Sequence, residues 1–299
     1  MGIIEKAASK LDQIEKEEKA RLTKAQISPE FDQESEIGQS GVANEIGQTL
    51  LHGAASQSKL AIIDLVRLRQ LGLVTPNEEK TQIVEEFRII KRQLITNAFK
   101  QDAGKIKNGN LIMVTSALVG EGKSFCAINL AMSIAMEMDH TVLLVDADVA
   151  RPSIPKYLGL QNEKGLLDVL LDDKLELADV MMRTNVEKLS ILASGRKNRH
   201  ATELLASQSM SDLLTEIAQR YRERIVIFDS PPLLIASEAH VLASQMGQIV
   251  LVVEAETTPQ KAVMEALRQI ESCDVINLIY NKARPFPGGD IYGYGYGYN

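Results

Sequence analysis

The sequence lacks most of the features that mark secreted or membrane-spanning proteins. Its 299 residues contain two cysteines, Cys126 and Cys273, and four histidines that show no ligand spacing with cysteines or carboxylates. A disulfide framework and a histidine-based metal site are therefore not expected, and a reduced cytosolic protein fits best. No run approaches the roughly 18–20 apolar residues of a membrane-spanning helix, and no apolar leader of the exported type is expected at the start.

Positive charge is also scarce. The chain carries 33 Lys and Arg against 40 Asp and Glu, a formal net charge of −7 and a pI near 5.3. Because no dense run of basic residues is present, binding to nucleic acid is not expected. Hydrophobic residues make up 45% of the chain, which is enough for the core of one large α/β domain with an appendage.

The chain divides into three parts by composition. Residues 1–58 predict an N-terminal helix, either solvated or docking on a partner or membrane surface, and then a flexible linker rich in Gln, Ser, Gly and Glu. Residues 59–283 predict the folded domain, led by helices at Lys59–Leu73 and Asn77–Phe99. Residues 284–299 are a low-complexity, tyrosine-rich tail that we expect to be flexible.

From residue 110 onward, apolar strands alternate with helical stretches. Continuous apolar strands separated by helices predict a mostly parallel sheet with helices on both faces. In such sheets the ligand lies at the carboxyl ends of the strands. The predicted strands are Leu111–Thr115, Thr141–Asp146, Leu189–Ala193, Ile225–Asp229, Ile249–Val253 and Val275–Tyr280. The predicted helices are Ser124–Met138, Ser209–Tyr221, Glu238–Gln245 and Gln260–Ser272.

A phosphate-binding loop follows the first of these strands. The pattern Ala117-x-x-Gly120-x-Gly122-Lys123-Ser124 stands between a strand and a helix, which is the context that a P-loop requires. The predicted fold is therefore an α/β fold of the P-loop NTPase type. The glycines of the loop let backbone N–H groups converge on phosphates, and the helix N-terminus adds its positive end. Lys123 is expected to reach the β- and γ-phosphates and Ser124 to bind Mg²⁺. The candidate nucleotide-binding residues of this loop are Gly120, Glu121, Gly122, Lys123, Ser124 and Phe125.

Acidic residues stand at the ends of two further strands. Asp146 and Asp148 end one strand and are two residues apart, so they point the same way in an extended segment. Asp229 ends a second strand, where a P-loop protein usually has its further Mg²⁺ anchor. Capping of a helix or turn accounts for one such residue more easily than for three. Ser124, Asp146 and Asp229 are therefore the candidate Mg²⁺ ligands.

Several motifs together resemble the bacterial tyrosine kinases (BY-kinases) of the exopolysaccharide-associated autokinase type. The resemblance covers about residues 80–299, and it departs from the family in Lys197–Thr202, where the family usually carries prolines. The matching segments are the P-loop, Val145-Asp-Ala-Asp148-x-x-Arg151-Pro152, Tyr157-Leu-Gly159-Leu160, Gly165–Leu170, Leu192–Arg196, Glu203–Leu205 and Asp229–Pro232.

The resemblance gives roles to two further features. Glu85-x-x-Arg88-x-x-Lys91 is similar to a helix by which the family packs its subunits into a ring, although Lys91 replaces an arginine and loses bidentate geometry. Read from the residues alone, this pattern is a solvated helix face. The tail resembles the family's autophosphorylated tyrosine cluster. Its tyrosines alternate with glycine, so their rings face one way in an extended chain: Tyr292, Tyr294, Tyr296 and Tyr298.

The resemblance implies an Mg·ATP-dependent autokinase that phosphorylates these tyrosines between subunits and regulates exopolysaccharide export. Asp146 is the candidate base, Asp148 and Arg151 support the transferred group, and Lys123 neutralises the phosphates. Asn281 either contacts adenine or ends the last strand. The implied partners are copies of the chain, a tyrosine phosphatase and an activator, a separate membrane-embedded polysaccharide co-polymerase that recruits the kinase to the inner face of the membrane.

Two other functions share this architecture. The first is a switch ATPase of the plasmid-partitioning kind, which carries a second lysine early in the loop, where this chain has Leu118. The second is a scaffold that binds nucleotide without catalysis. The tyrosine tail argues against the first, and the intact set Lys123, Ser124, Asp146 and Asp229 argues against the second.

Overall fold

The computed structural model describes residues 59–76, 81–100, 104–161, 163–221 and 223–284. The predicted N-terminal helix and linker lie outside the described residues. So do the four tail tyrosines and the first residues of the predicted helix at Asn77–Phe99.

The described residues form one sheet of eight strands in the order β1-β4-β5-β3-β6-β2-β7-β8. Neighbouring strands run parallel except β4, which is antiparallel to β5. The predicted parallel sheet is therefore confirmed. The strands are β1 (Leu60–Ala61), β2 (Leu111–Ser116), β3 (Thr141–Asp146), β4 (Met182–Thr184), β5 (Leu189–Leu192), β6 (Arg224–Asp229), β7 (Gln248–Glu254) and β8 (Ile276–Asn281).

Helices cover both faces of the sheet. Among the described residues, no helix has the length and apolar character needed to cross a membrane. The helices are α1 (Leu65–Gln70), α2 (Gln82–Ala98), α3 (Lys123–Ala135), α4 (Ile154–Leu158), α5 (Leu166–Leu171), α6 (Leu177–Val180), α7 (Ala201–Leu205), α8 (Gln208–Arg220), α9 (Ser237–Ala243) and α10 (Gln260–Gln269).

The core lies in two layers, one on each face of the sheet. Side chains alternate along each strand, so Ile112 of β2 packs with α1, α2 and α3 while Met113 packs with α8, α9 and α10. Every residue of β2 is buried, which explains why the central strands read as unbroken apolar runs. The parallel strands bring their carboxyl ends to one edge, called the carboxyl edge below.

The segment predicted as a helix at Lys59–Leu73 is only partly helical. Leu60–Ala61 instead form β1 and pair with β4, and the helix is confined to α1. Asn185 holds the turn between them, because its side chain accepts from the N–H of Ile63 at 2.8 Å and donates to its carbonyl at 3.0 Å. Contacts with residues far along the chain, in β4 and at Asn185, thus override the local helical pattern of apolar residues.

The prediction that Lys91 shares a solvated face with Glu85 and Arg88 is wrong. Its side chain is 5% exposed. The Lys91 ammonium donates to the Ser133 carbonyl at 2.6 Å and lies 2.7 Å from Glu137, so it fastens α2 to the end of α3. Glu85 and Arg88 remain partly exposed and form an ion pair of 2.5 Å with each other. The proposed subunit contact therefore rests on these two residues.

We expect Lys91→Met to destabilise the fold. Methionine keeps the apolar stem but leaves the Ser133 carbonyl without its donor, which should lower the free energy of unfolding by about 1–3 kcal/mol. Urea unfolding measures the change, and Arg92→Met on the exposed side of the same helix is the control. Equal losses in the two variants would contradict the role given to Lys91.

Candidate active site

The P-loop lies at the carboxyl edge between β2 and α3. Gly120 and Gly122 have φ of 91° and 98°, in the left-handed region that favours glycine. Gly122 is the N-cap of α3, so backbone N–H groups at the start of this helix face the space above the sheet. The side chains of Glu121 and Phe125 are 2% and 4% exposed and turn inward. Any contribution of these two residues to phosphate binding would come from the backbone.

Three side chains brace the loop from the turn after β7 and from the end of β8: Thr258, Asn281 and Lys282. Glu121 accepts from the N–H of Leu118 at 2.6 Å and from the Thr258 hydroxyl. Asn281 donates to the Glu121 carbonyl at 2.8 Å, and Lys282 donates to the Gly120 carbonyl at 2.8 Å while paired with a carboxylate of β7. Asn281 is the last residue of β8, and its contact with adenine stays a prediction. No motif in the sequence marks Lys282 or Thr258, so their contacts could not be predicted.

The three predicted carboxylates converge beside the P-loop lysine. Asp146 and Asp229 are paired residues of adjacent strands, β3 and β6, and both are fully buried. The Lys123 ammonium lies 2.8 Å from Asp148 and 3.7 Å from Asp229, so one cation balances part of a buried acidic cluster. Arg151 is exposed, and its backbone N–H donates to Asp148 at 3.1 Å. The structure thus brings together the residues named from the motifs.

Burial and mutual repulsion change the acidity of this cluster. Burial raises the pKa of Asp146 to about 7, the neighbouring Asp229 adds to the rise, and the N–H groups of Ser153 and Ile154 oppose it. Burial also raises the pKa of Asp229, while Lys123 opposes the rise. Burial alone would lower the pKa of Lys123, but Asp229 and Asp148 together raise it. A carboxyl poised near neutrality beside a phosphate loop is suited to accepting a proton.

The donor set fits Mg²⁺. Asp146 and Asp229 each keep one buried oxygen, Oδ1, without a hydrogen-bond partner. The Ser124 hydroxyl belongs to the same cluster, because it is hydrogen-bonded to the hydroxyl of Ser153. Within the described residues no group of three or more His, Cys, Asp or Glu could hold a metal. Mg²⁺ takes one or two protein ligands and completes its shell with phosphate and water oxygens, so the two carboxylate oxygens and the hydroxyl suit it.

Ser153 completes the cluster, although no motif in the sequence marks it. Its hydroxyl lies 2.8 Å from that of Ser124 and donates to Asp229 at 3.2 Å. Its backbone N–H and that of Ile154 both donate to Asp146 at 2.9 Å. A serine seven residues after Asp146 carries no signal by itself, because only the fold of the segment into α4 brings it back.

We expect Ser153→Ala to weaken Mg·ATP binding and Ser153→Thr to preserve it. Alanine removes the hydroxyl that orients Ser124 and Asp229, which should cost about 3- to 10-fold in affinity, the worth of one hydrogen bond. Titration calorimetry with Mg²⁺ and a non-hydrolysable ATP analogue measures this. Equal loss in the threonine variant would mean that the site needs the shape of serine and not its hydroxyl.

Comparison with known proteins shows that the chain is similar to P-loop NTPases and to tyrosine-protein kinases. The family described as ParA, NUBPL iron-transfer P-loop NTPase, matches residues 107–280. Tyrosine-protein kinase YwqD of Bacillus subtilis (strain 168) is 31% identical over 204 residues, which cover 68% of this chain and 82% of YwqD. Tyrosine-protein kinase wzc of Salmonella typhi is 26% identical, over 81% of this chain but only 33% of wzc.

Two solved structures support the same assignment. The kinase domain of Escherichia coli tyrosine kinase ETK superposes with a TM-score of 0.61 at 28% identity and covers 72% of this chain and 80% of its own. The chimerical protein CapA2B2 superposes with a TM-score of 0.58 at 28% identity and covers 71% of this chain and 96% of its own. Each superposition covers more than two thirds of this chain, so the similarity extends well beyond the P-loop.

Proposed function

Since the chain belongs to the bacterial tyrosine-protein kinases, we propose that it is an autokinase whose substrates are the tyrosines of its own C-terminal tail. The observation that carries the proposal is the buried carboxylate cluster beside the P-loop, at the edge of the sheet where the tail begins. We further propose that ATP and Mg²⁺ serve the transfer, and that the tail is phosphorylated mostly between subunits.

The reach of the tail supports this substrate. Strand β8 ends at the carboxyl edge, and four strand spacings of about 4.8 Å separate it from β3, a distance of roughly 19 Å. From Arg284 to Tyr292 an extended chain spans at most about 28 Å. Within one subunit the tail would have to cross the P-loop, above which the nucleotide is expected. The tail of a neighbouring subunit avoids this obstruction.

The roles of the residues follow from the contacts of the cluster. Lys123 and the loop amides neutralise the phosphates, while Ser124 and Asp229 hold Mg²⁺. When bound, the metal lowers the charge repulsion between the nucleotide and the incoming oxygen. The bond from the γ-phosphorus to the ADP oxygen breaks as the tyrosine oxygen bonds to that phosphorus. Asp146 accepts the phenol proton, whose ordinary pKa near 10 makes a base necessary.

The proposed regulation concerns assembly at the membrane. Glu85 and Arg88 contribute to a contact between copies of the chain in a ring, and a membrane-embedded co-polymerase activates and recruits the kinase to the inner membrane face. A phosphatase resets the tail, and the cycle regulates exopolysaccharide polymerisation and export. Four phosphates would add about −6 to −8 charges to a chain of net charge −7, which should loosen the ring.

Incubation of the purified chain with Mg·ATP, followed by mass spectrometry, tests the proposal. We expect phosphotyrosine confined to residues 292–298, and none in a chain truncated after Ala283. Mixing Lys123→Met protein that carries an intact tail with the truncated protein tests transfer between subunits, because only the truncated protein then has an active site.

The alternatives give different results in the same experiment. ATP hydrolysis without tail phosphate would favour the switch ATPase, and nucleotide binding with neither product would favour the scaffold. Phosphorylation in the wild type but not in the mixture would mean that each subunit modifies its own tail.

A further inference from the structure

A basic loop flanks the acidic cluster on the carboxyl edge. It comprises Arg196–His200 and leaves the end of β5, the strand next to β3. Four of its five side chains are charged or titratable and exposed: Arg196, Lys197, Arg199 and His200. A cluster of basic side chains on one loop is unusual in a chain whose net charge is −7. The function proposed above gives it no role.

A buried carboxylate holds this loop in place. Asp168 is 2% exposed and accepts from the N–H groups of Gly165 at 3.0 Å and Arg196 at 3.1 Å, and from Arg196 Nε at 2.6 Å. Burial opposes the ionisation of Asp168, but these bonds with Arg196 and Gly165 hold its pKa below its usual value. Gly195 turns the chain here with φ of 88°. The loop therefore has a fixed path, set by an ion pair beneath it.

The ion pair between Asp168 and Arg196 leaves the positive charges of Lys197 and Arg199 uncompensated. Asp168 neutralises Arg196, whereas neither Lys197 nor Arg199 forms an ion pair with a carboxylate in the described part of the chain. Arg199 Nε donates to His200 at 3.0 Å, which leaves its terminal nitrogens for a ligand. An arginine and a lysine on one rigid loop suit a phosphate dianion, since the arginine can bind bidentately.

The spacing of the tail tyrosines is compatible with the separation of the two strands that lead to the basic loop and to Asp146. Tyrosines two residues apart lie about 6.8 Å apart in an extended chain, and the strands β5 and β3 lie about 4.8 Å apart. A phosphotyrosine held beyond β5 would therefore leave the next tyrosine within reach of Asp146 on β3. The glycines between the tyrosines allow the small adjustments that this needs.

We propose that the basic loop, through Lys197 and Arg199, binds phosphotyrosine already formed on the tail and presents the next tyrosine to the active site. This inference rests on the proposed function, since it requires the tail to be the substrate. Its consequence is processive modification, because a tail that has received one phosphate stays bound and receives the next before it dissociates.

Two measurements on the double variant Lys197→Gln/Arg199→Gln test the proposal. The first is intact-mass analysis during autophosphorylation. We expect the wild type to pass quickly to multiply phosphorylated tails, and the variant to accumulate the singly phosphorylated form at least threefold while the first phosphate is added at a rate within twofold of wild type. The matched control is Lys105→Gln/Lys107→Gln, which removes two exposed charges ahead of β2 at the opposite edge.

The second measurement is the binding of labelled peptides with the sequence of residues 291–299, with and without one phosphotyrosine, in the presence of Mg·ADP. We expect the phosphopeptide to bind at least fivefold more tightly to wild type and to the control, and this preference to vanish in the double variant. Equal binding of the two peptides to wild type, or an unchanged preference in the double variant, would overturn the proposal. Absence of any tail phosphate would count against the proposed function, while the peptides would still test the loop.

Discussion

Replacement of Lys123 by methionine should reduce tail phosphorylation by at least about 100- to 1,000-fold, the usual effect of removing one charge-stabilising donor from an active site. The Lys123 ammonium is the cation of the cluster, 2.8 Å from Asp148 and 3.7 Å from Asp229. Methionine has nearly the same length but no charge, so phosphate and carboxylate charges would face each other uncompensated. Phosphotyrosine formation under single-turnover conditions measures the loss.

The same substitution should lower the stability of the nucleotide-free protein. Asp148 and Asp229 are buried and would lose their cation, and breaking a buried charge pair typically costs about 3–5 kcal/mol when one partner remains ionised. Protonation of Asp229, whose pKa burial already raises, would reduce this cost. Lys261→Met on the exposed side of α10 is the matched control. Full activity in Lys123→Met would remove the P-loop from the mechanism.

Asp146→Asn should abolish the kinase and, in EDTA, stabilise the fold. Loss of a general base typically reduces the rate by about 100- to 10,000-fold. The gain in stability follows from the pKa of Asp146, which is about 7 when folded against an ordinary 3.8. Between these values the folded protein binds more protons than the unfolded chain, so the carboxyl destabilises the fold progressively from about pH 4 to about pH 7.

Asparagine escapes this penalty because it does not ionise, and its carbonyl can still accept from Ser153 and Ile154. At pH 8 we expect Asp146→Asn to raise the free energy of unfolding by up to about 4 kcal/mol, since the pKa is displaced by roughly three units and each unit corresponds to about 1.4 kcal/mol. At pH 4 the variant and the wild type should agree. Asp139→Asn, on an exposed turn, should show neither effect. A loss of stability at pH 8 would mean that Asp146 is ionised without cost in the folded protein.

The central strands and the P-loop could be predicted because their signals are local. The strand at Thr141–Asp146 was predicted with the bounds observed, and the other predicted strands differ from the observed ones by one residue at one end or at both ends. Residues buried on both faces must be apolar in unbroken runs, and so these strands are visible in one sequence. Parallel strands share an edge, which is why Asp146, Asp148 and Asp229 could be expected to meet.

The features that could not be predicted depend on partners far along the chain. Strands β1 and β4 have two and three residues, too few for a pattern, and their pairing is set by the sheet edge that they meet. The burial of Lys91 depends on where α3 ends. Ser153 reaches the cluster only because the segment after β3 folds back over it. The roles of the site residues and of the tail tyrosines stay predictions.

The brace on the P-loop sets a boundary for shortening this protein. Asn281 and Lys282 hold the carbonyls of Glu121 and Gly120, and the tail begins two residues later. A truncation placed after Ala283 removes the proposed acceptor tyrosines and spares these bonds. A truncation placed a few residues earlier would also release the P-loop. Phosphotyrosine would then be lost because the nucleotide site is damaged, although the result would look like the loss of the tail tyrosines. A tag or fusion partner must likewise leave Asn281 and Lys282 in place. We therefore expect this end of the chain to tolerate additions better than deletions.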